Sequence, residues 1–304
     1  MSKTTKKNKS KMQQGVIVIP VVVFAVATWV LWWFYPNVSS IFLAFQNRTG
    51  EFTFANFVEV WNSLTTAGGV LAVSLKNTLL YFFVGTAVRI PLVTFVCYFL
   101  YKKIYGYKFF RIMFYMSAII PSVAMAGVFK IFVSSTGPLG KICEQLGIFL
   151  PNEGLLGTVG TATSTIVVYE IWTCFAGGLL LINGAMARIP TEILESAKID
   201  GCGMARELFQ FILPLIWPTI STLIVLSCTG IISAGGGIVM LLQPDTQYGT
   251  STLYYWMFRK VYGSGTGSGD YGVVSAMGLC FTLLVVPFTL LVRKLLDKVP
   301  TVEY

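Results

Sequence analysis

The sequence predicts an all-α polytopic membrane protein, and three observations carry that prediction. Hydrophobic residues make up 55% of the 304 positions, against roughly 45–50% in ordinary soluble domains. Charged residues make up only 12%, and the mean hydropathy is +0.73. The apolar residues also fall into six runs, at 15–35, 73–100, 112–133, 158–186, 214–241 and 272–294. A hydrocarbon core of about 30 Å takes about 20 helical residues, so each run is long enough to cross. Backbone groups in lipid find no water to bond, which makes these runs helices rather than open strands.

The first run follows Lys3, Lys6, Lys7, Lys9 and Lys11 and ends in Trp32-Trp33-Phe34-Tyr35-Pro36. Lysines ahead of a span mark its cytoplasmic side, and aromatic rings mark the opposite interface. No small-residue cleavage site follows, so the run reads as a retained helix and not a signal peptide. The second and fourth runs exceed the minimum and have length to tilt or project. Lys102, Lys103, Lys108 and Arg111 follow the second run, and Arg293, Lys294 and Lys298 follow the sixth. Loops 101–111 and 187–213 are therefore expected inside, and loops 36–72, 134–157 and 242–271 outside. Six crossings place both termini in the cytoplasm.

The chain divides into a basic cytoplasmic N-terminus (1–14), a first span with its outer loop (15–72), a core (73–294) and a cytoplasmic tail (295–304). The stretch Gly263-Ser264-Gly265-Thr266-Gly267-Ser268-Gly269 has the composition of a flexible loop tip.

The net charge of +9 sits at span ends, so it orients the chain and does not signal nucleic acid. The six cysteines form no CxxC pair and there is no histidine. That composition predicts no metal site, redox pair or bound cofactor. No close carboxylate pair or nucleophile motif is present, which argues against an enzyme.

Two places carry candidate function. Within the fourth run, Glu170 is an acid in a membrane span, beside Tyr169, Trp172 and Thr173. Such a group is costly and functional by default, and a carboxylate with aromatic neighbours suits a hydroxyl-rich ligand. The alternative is that Glu170 pairs with Arg89 or Lys130. Ser227 and Thr229 in the fifth run are candidates for the same path, although such hydroxyls often bond their own helix. Arg89 is open among snorkelling, pairing with an acid and facing a water-filled gap. Gly235-Gly236-Gly237 is expected to loosen or kink the fifth run.

The second place is loop 187–213. Pro190 suits a helix start. Glu192 and Glu195 favour its dipole, and Gly201 with Gly203 ends it. A second short helix, about 204–212, is expected to lead at an angle to Pro214. Ser196 and Ala197 would leave a low surface for a partner's groove.

The pattern Glu195-Ser196-Ala197, three residues, Gly201, nine residues, Phe211-Ile212-Leu213-Pro214 resembles the EAA loop of bacterial ABC importer permeases. Ser196 stands for the usual alanine and Phe211 for isoleucine. The flanks Ile189-Pro190 and Ile199-Asp200-Gly201 resemble the carbohydrate branch, and Phe34-Tyr35-Pro36 is similar to the maltose-type first permease subunit.

The resemblance implies the type I importer permease fold, with a cytoplasmic coupling helix between spans four and five. Glu195, Ser196, Ala197, Asp200 and Gly201 would meet an ATPase, and Glu170 and Ser227 fall near positions that contact sugar in maltose-type permeases, with Thr173 and Thr229 as candidates for the path from their own positions. It further implies a second homologous permease in a heterodimer, two cytoplasmic ATPase subunits that hold the ATP and magnesium, and an extracytoplasmic solute-binding protein. The location would be the bacterial cytoplasmic membrane and the solute a carbohydrate. An importer of another solute class is the alternative. A secondary transporter would leave the loop without a role.

Overall fold

The structure, a computed structural model, describes residues 18–47, 49–66, 68–148, 150–173, 175–243, 248–263 and 270–299. The N-terminal lysines, positions 264–269 of the glycine-rich stretch and residues 300–304 lie outside these. In chain order the helices are α1 (Val18–Ala44), α2 (Ala55–Thr65), α3 (Val70–Tyr101), α4 (Tyr107–Ile119), α5 (Ser122–Phe132) and α6 (Pro138–Gln145). They continue as α7 (Ala162–Met186), α8 (Thr191–Ile199), α9 (Met204–Thr229), α10 (Gly236–Leu242), α11 (Leu253–Tyr262) and α12 (Tyr271–Leu296). Five of them, α1, α3, α7, α9 and α12, are long and apolar enough to cross a membrane. The bent pair α4–α5 makes a sixth span if taken together.

Two expected spans take a different form. The run 112–133 is two helices meeting at 107°. Ile120, ahead of Pro121, is extended with φ −70° and ψ 131°, because the proline ring disfavours helical backbone at the preceding residue. The run 214–241 is not one span either. Its helix begins ten residues earlier, at Met204, and stops at Thr229. A short turn at Ile231–Ser233 and a left-handed Gly235 (φ +68°) then lead into α10.

The expected separate helix at 204–212 is thus the first part of α9. Its continuity through Pro214 has a local cause. A π-helical stretch, Glu207–Ile212, lies just before the proline. Wider π turns change the hydrogen-bond register where proline lacks its N–H and crowds the preceding turn. The same device precedes Pro36 (Val30–Phe34) and Pro91 (Val84–Val88), so α1 runs to Ala44 rather than ending near residue 35.

Three apolar cores hold the bundle. One, at the end carrying α8, joins α3, α7, α8 and α9 through residues such as Val93, Tyr98, Leu179, Met186, Leu194 and Ile216. A second, towards the opposite end, joins Tyr81, Phe129, Ile166, Tyr169 and Val239. The third packs Ala44, Leu71, Trp256 and Met277, from α1, α3, α11 and α12. The most apolar stretch of α1 is unburied, as expected of a helix presented to lipid.

Polar groups fasten the ends. The Asn77 amide donates to the carbonyls of Gly249 (2.7 Å) and Ser251 (2.9 Å), and the Leu253 N–H donates to Thr78 Oγ1 (2.9 Å). These bonds tie the start of α11 to α3. At the α8 end, Lys102 Nζ lies 2.7 Å from the Glu207 carboxylate, whose side chain is 3% exposed. The Tyr98 hydroxyl donates to the Met204 carbonyl at 3.1 Å.

Lys102→Met would leave the Glu207 charge unpaired. Removing one member of a fully buried pair costs about 3–5 kcal/mol. Because Lys102 keeps 17% exposure, the expected loss is smaller, about 2 kcal/mol after allowance for solvent screening. Thermal unfolding in detergent measures it, and the double variant Lys102→Met/Glu207→Leu is expected to recover most of the loss.

Candidate functional site

A cavity of about 840 Å³ opens where three backbone irregularities meet. These are the π stretch of α3, the Ile120-Pro121 bend and the break between α9 and α10. Irregular backbone at membrane depth is tolerated only where protein buries it or where it lines a water-filled cavity. The volume lies within the about 300–1,000 Å³ usual for small-molecule sites. The cavity touches both the first core (Ile90, Val93, Ile182) and the second (Tyr81, Tyr169).

Each helix contributes one face. From α3 come Tyr81, Gly85 and Arg89, spaced i, i+4, i+8, with Thr86 beside them. From α7 come Glu170, Thr173 and Gly177, spaced i, i+3, i+7, and from α9 come Leu223, Ser227 and the following Gly230. Residues at these spacings share a helix face. Small residues let the walls approach: a Cβ on Gly85 would stand 3.4 Å from Glu170 Oε1. At Gly235 a Cβ would fall 2.4 Å from the Tyr81 ring. Gly235→Ala must therefore displace Tyr81 and accept a left-handed backbone, at an expected cost of about 1–3 kcal/mol. A lowered melting temperature of the purified protein would show it.

The cavity carries unmet hydrogen-bonding capacity. Tyr81 Oη, Thr86 Oγ1 and Glu170 Oε2 all belong to its walls, are buried, and have no hydrogen-bond partner among the described residues. Such groups normally find a partner, often water or a ligand. Neither Arg89 nor Lys130 forms an ion pair with Glu170.

The four path candidates are placed unequally. Glu170, Thr173 and Ser227 line the cavity, whereas Thr229 is not part of the lining and is exposed. The hydroxyls of Thr173, Ser227 and Thr229 donate to the carbonyls of Tyr169 (2.9 Å), Leu223 (3.0 Å) and Leu226 (2.8 Å). Within the cavity, Thr173 and Ser227 thus offer lone pairs more readily than protons. Tyr81, Gly85 and Thr86 were not singled out from sequence. Their signal was the polar and small face 81-85-89 on an otherwise apolar helix.

At the bundle's end, α8 starts after Pro190 and stops in a Schellman motif. The Gly201 N–H donates to the Lys198 carbonyl (3.0 Å) and the Cys202 N–H to the Ala197 carbonyl (2.9 Å). Gly201 takes the left-handed φ of +73° that this ending requires. Glu195, Ser196 and Asp200 are exposed. Ala197 is 2% exposed and packs inward, so it does not form the outward surface expected of it; the helix buries Leu194 and Ala197 on one face. Ile199 stands 87% exposed beside Asp200. No group of three His, Cys, Asp or Glu residues is placed to hold a metal among the described residues.

Apolar spans, a largely apolar cavity with a few charged and hydroxyl groups between broken helices, and a short amphipathic helix at one end fit a membrane transport subunit. The chain belongs to the family of binding-protein-dependent transport system inner membrane components, which it matches over residues 90–299. It is a multi-pass permease subunit of an ABC importer. It is 25% identical to the multiple sugar-binding transport system permease protein MsmF of Streptococcus mutans, over 88% of this chain and 91% of that protein. It is 27% identical to the alpha-glucoside transport system permease protein AglF of Rhizobium meliloti, over 83% of this chain and 74% of that one. Its fold matches a chain in the crystal structure of a bacterial ABC transporter involved in the import of the acidic polysaccharide alginate. The TM-score there is 0.80 at 19% identity, covering 97% of this chain and 100% of the other.

Proposed function

We propose that this chain is the maltose-type permease half of a carbohydrate importer, and that the cavity around Glu170 is its solute path. The observation that carries the reading is the convergence on one cavity of three polar atoms, on Tyr81, Thr86 and Glu170, that have no hydrogen-bond partner among the described residues. A sugar supplies what they lack: hydroxyls that donate to the carboxylate and accept from the phenol. Thr173 and Ser227 add acceptors. Thr229, outside the lining, has no part in this contact. Relatives named for sugar transport support the solute class.

In this reading both termini are cytoplasmic, with residues 1–14 and 295–304 as short tails. The segment Glu195–Gly201 sits in a cleft of a cytoplasmic ATPase, one of two that hold ATP and magnesium. A homologous permease completes the pathway, and an extracytoplasmic binding protein delivers the solute. The continuity of α9 makes the coupling mechanical. Its 26 residues span about 39 Å at about 1.5 Å per residue. One continuous helix thus connects the turn after Gly201 to Ser227 at the cavity. A shift of α8 imposed by ATPase closure moves a cavity wall through one continuous helix, which is what an ATP-biased alternating-access bundle needs.

Affinity purification of the tagged chain from native membranes tests the assembly. Recovery of a second permease with an ATPase is expected, and ATP hydrolysis should rise when a sugar-loaded binding protein is added. A chain that purifies alone and moves sugar in liposomes without ATP would overturn the proposal.

A further inference from the structure

We infer that Arg89 makes this path selective for saccharides that carry an anionic group, a uronate carboxylate or a phosphate ester. The inference rests on the carbohydrate reading and adds a charge requirement to it. Arg89 lies near the middle of the 32-residue α3 and lines the cavity. Twelve residues separate it from Tyr101 and nineteen from Val70, about 18 and 28 Å along the helix, beyond the reach of a side chain, so the cavity must solvate it.

Glu170 is the other charged residue of the lining. It attracts Arg89, yet no ion pair or hydrogen bond joins them among the described residues. Among the described residues every other polar side chain of the lining is a neutral hydroxyl, Tyr81, Thr86, Thr173 and Ser227 included. A neutral sugar satisfies Glu170 with its hydroxyl protons and leaves the guanidinium fork with weak acceptors only. A carboxylate or phosphate matches that fork with two parallel charged hydrogen bonds. The two charges thus read one ligand at two points: Glu170 takes its hydroxyls and Arg89 its anionic substituent.

Equilibrium binding of labelled glucose, glucuronate and glucose 6-phosphate to the purified permease–ATPase complex, freed of binding protein, tests this. At least one of the acidic sugars is expected to bind about 10-fold or more tightly than glucose, the scale of one charged hydrogen-bonding contact. Which of the two binds better separates uronate from phosphate recognition. Arg89→Gln should bring the ratio to near one, and Arg89→Lys should keep part of it, because the charge remains but the fork is gone. If Arg89→Gln does not assemble with the ATPase, the Arg89→Lys ratio carries the test.

Glucose binding as tightly as both acids would overturn the inference and leave the carbohydrate reading standing. So would an unchanged ratio in Arg89→Gln, or an equal loss for all three sugars, which would make Arg89 a structural partner. Binding of none of the three would overturn the carbohydrate reading and the inference with it.

Discussion

Glu195→Arg is expected to lower ATP-driven uptake about 100-fold while the chain still folds and inserts. Glu195 stands exposed on α8, one turn before the Schellman ending. The buried face of that helix uses Leu194 and Ala197 and makes no use of Glu195. Reversing the charge therefore leaves the helix, its cap and the bundle intact. At a partner's cleft the same change removes a charged hydrogen bond and puts a cation where an acid was expected. Truncating one partner of a buried interfacial charge pair costs about 2–5 kcal/mol, and about 2.7 kcal/mol is a factor of about 100. Uptake in membrane vesicles and the amount of ATPase retained on the purified chain check it together. Normal uptake with a full complement of ATPase would remove Glu195 from the coupling contact.

Glu170→Ala is expected to cut sugar uptake by about 10- to 100-fold, through lost charge-assisted hydrogen bonds worth about 1.5–3 kcal/mol. The carboxylate has no hydrogen-bond partner at Oε2 among the described residues, so its removal breaks no hydrogen bond there and costs stability only through the attraction it exerts on Arg89. That separates a ligand role from a structural one. If the melting temperature falls and uptake does not, Glu170 is a structural residue. Glu170→Gln keeps the shape and one acceptor and should lie between the two.

Apolar length was the most legible property of the sequence. The expected run 272–294 is observed as Tyr271–Leu296. The start of α8 at Pro190 and its ending at Gly201 were also readable, because proline and glycine impose local geometry. Direction was not readable from hydropathy: Pro121 was visible, but a count of apolar residues does not register a 107° turn. Gly235–Gly237 were expected to loosen or kink the fifth run; the helix instead ends at Thr229, and Gly235, left-handed against the Tyr81 ring, turns the chain into α10.

Contacts between distant positions were the least legible. Lys102 and Glu207 are 105 residues apart, and no periodic pattern links them. The cavity has the same character. Glu170 and Ser227 carried a signal as polar residues in apolar spans, but Tyr81, Thr86 and Arg89 became part of the same site only when three helices brought their faces together.

Solute is proposed to pass through this cavity. ATP-driven uptake by the reconstituted complex carrying Ser227→Trp tests it most directly, using a labelled sugar retained by the co-purified binding protein. Ser227 lines the cavity and is half-buried, with its hydroxyl bonded only to its own helix. An indole there fills the path without touching α8. The expected result is a complex that assembles, still hydrolyses ATP and has lost about 90% or more of its uptake, a barrier change of about 1.4 kcal/mol or more. Wild-type uptake through the filled cavity would contradict it and place the solute path elsewhere.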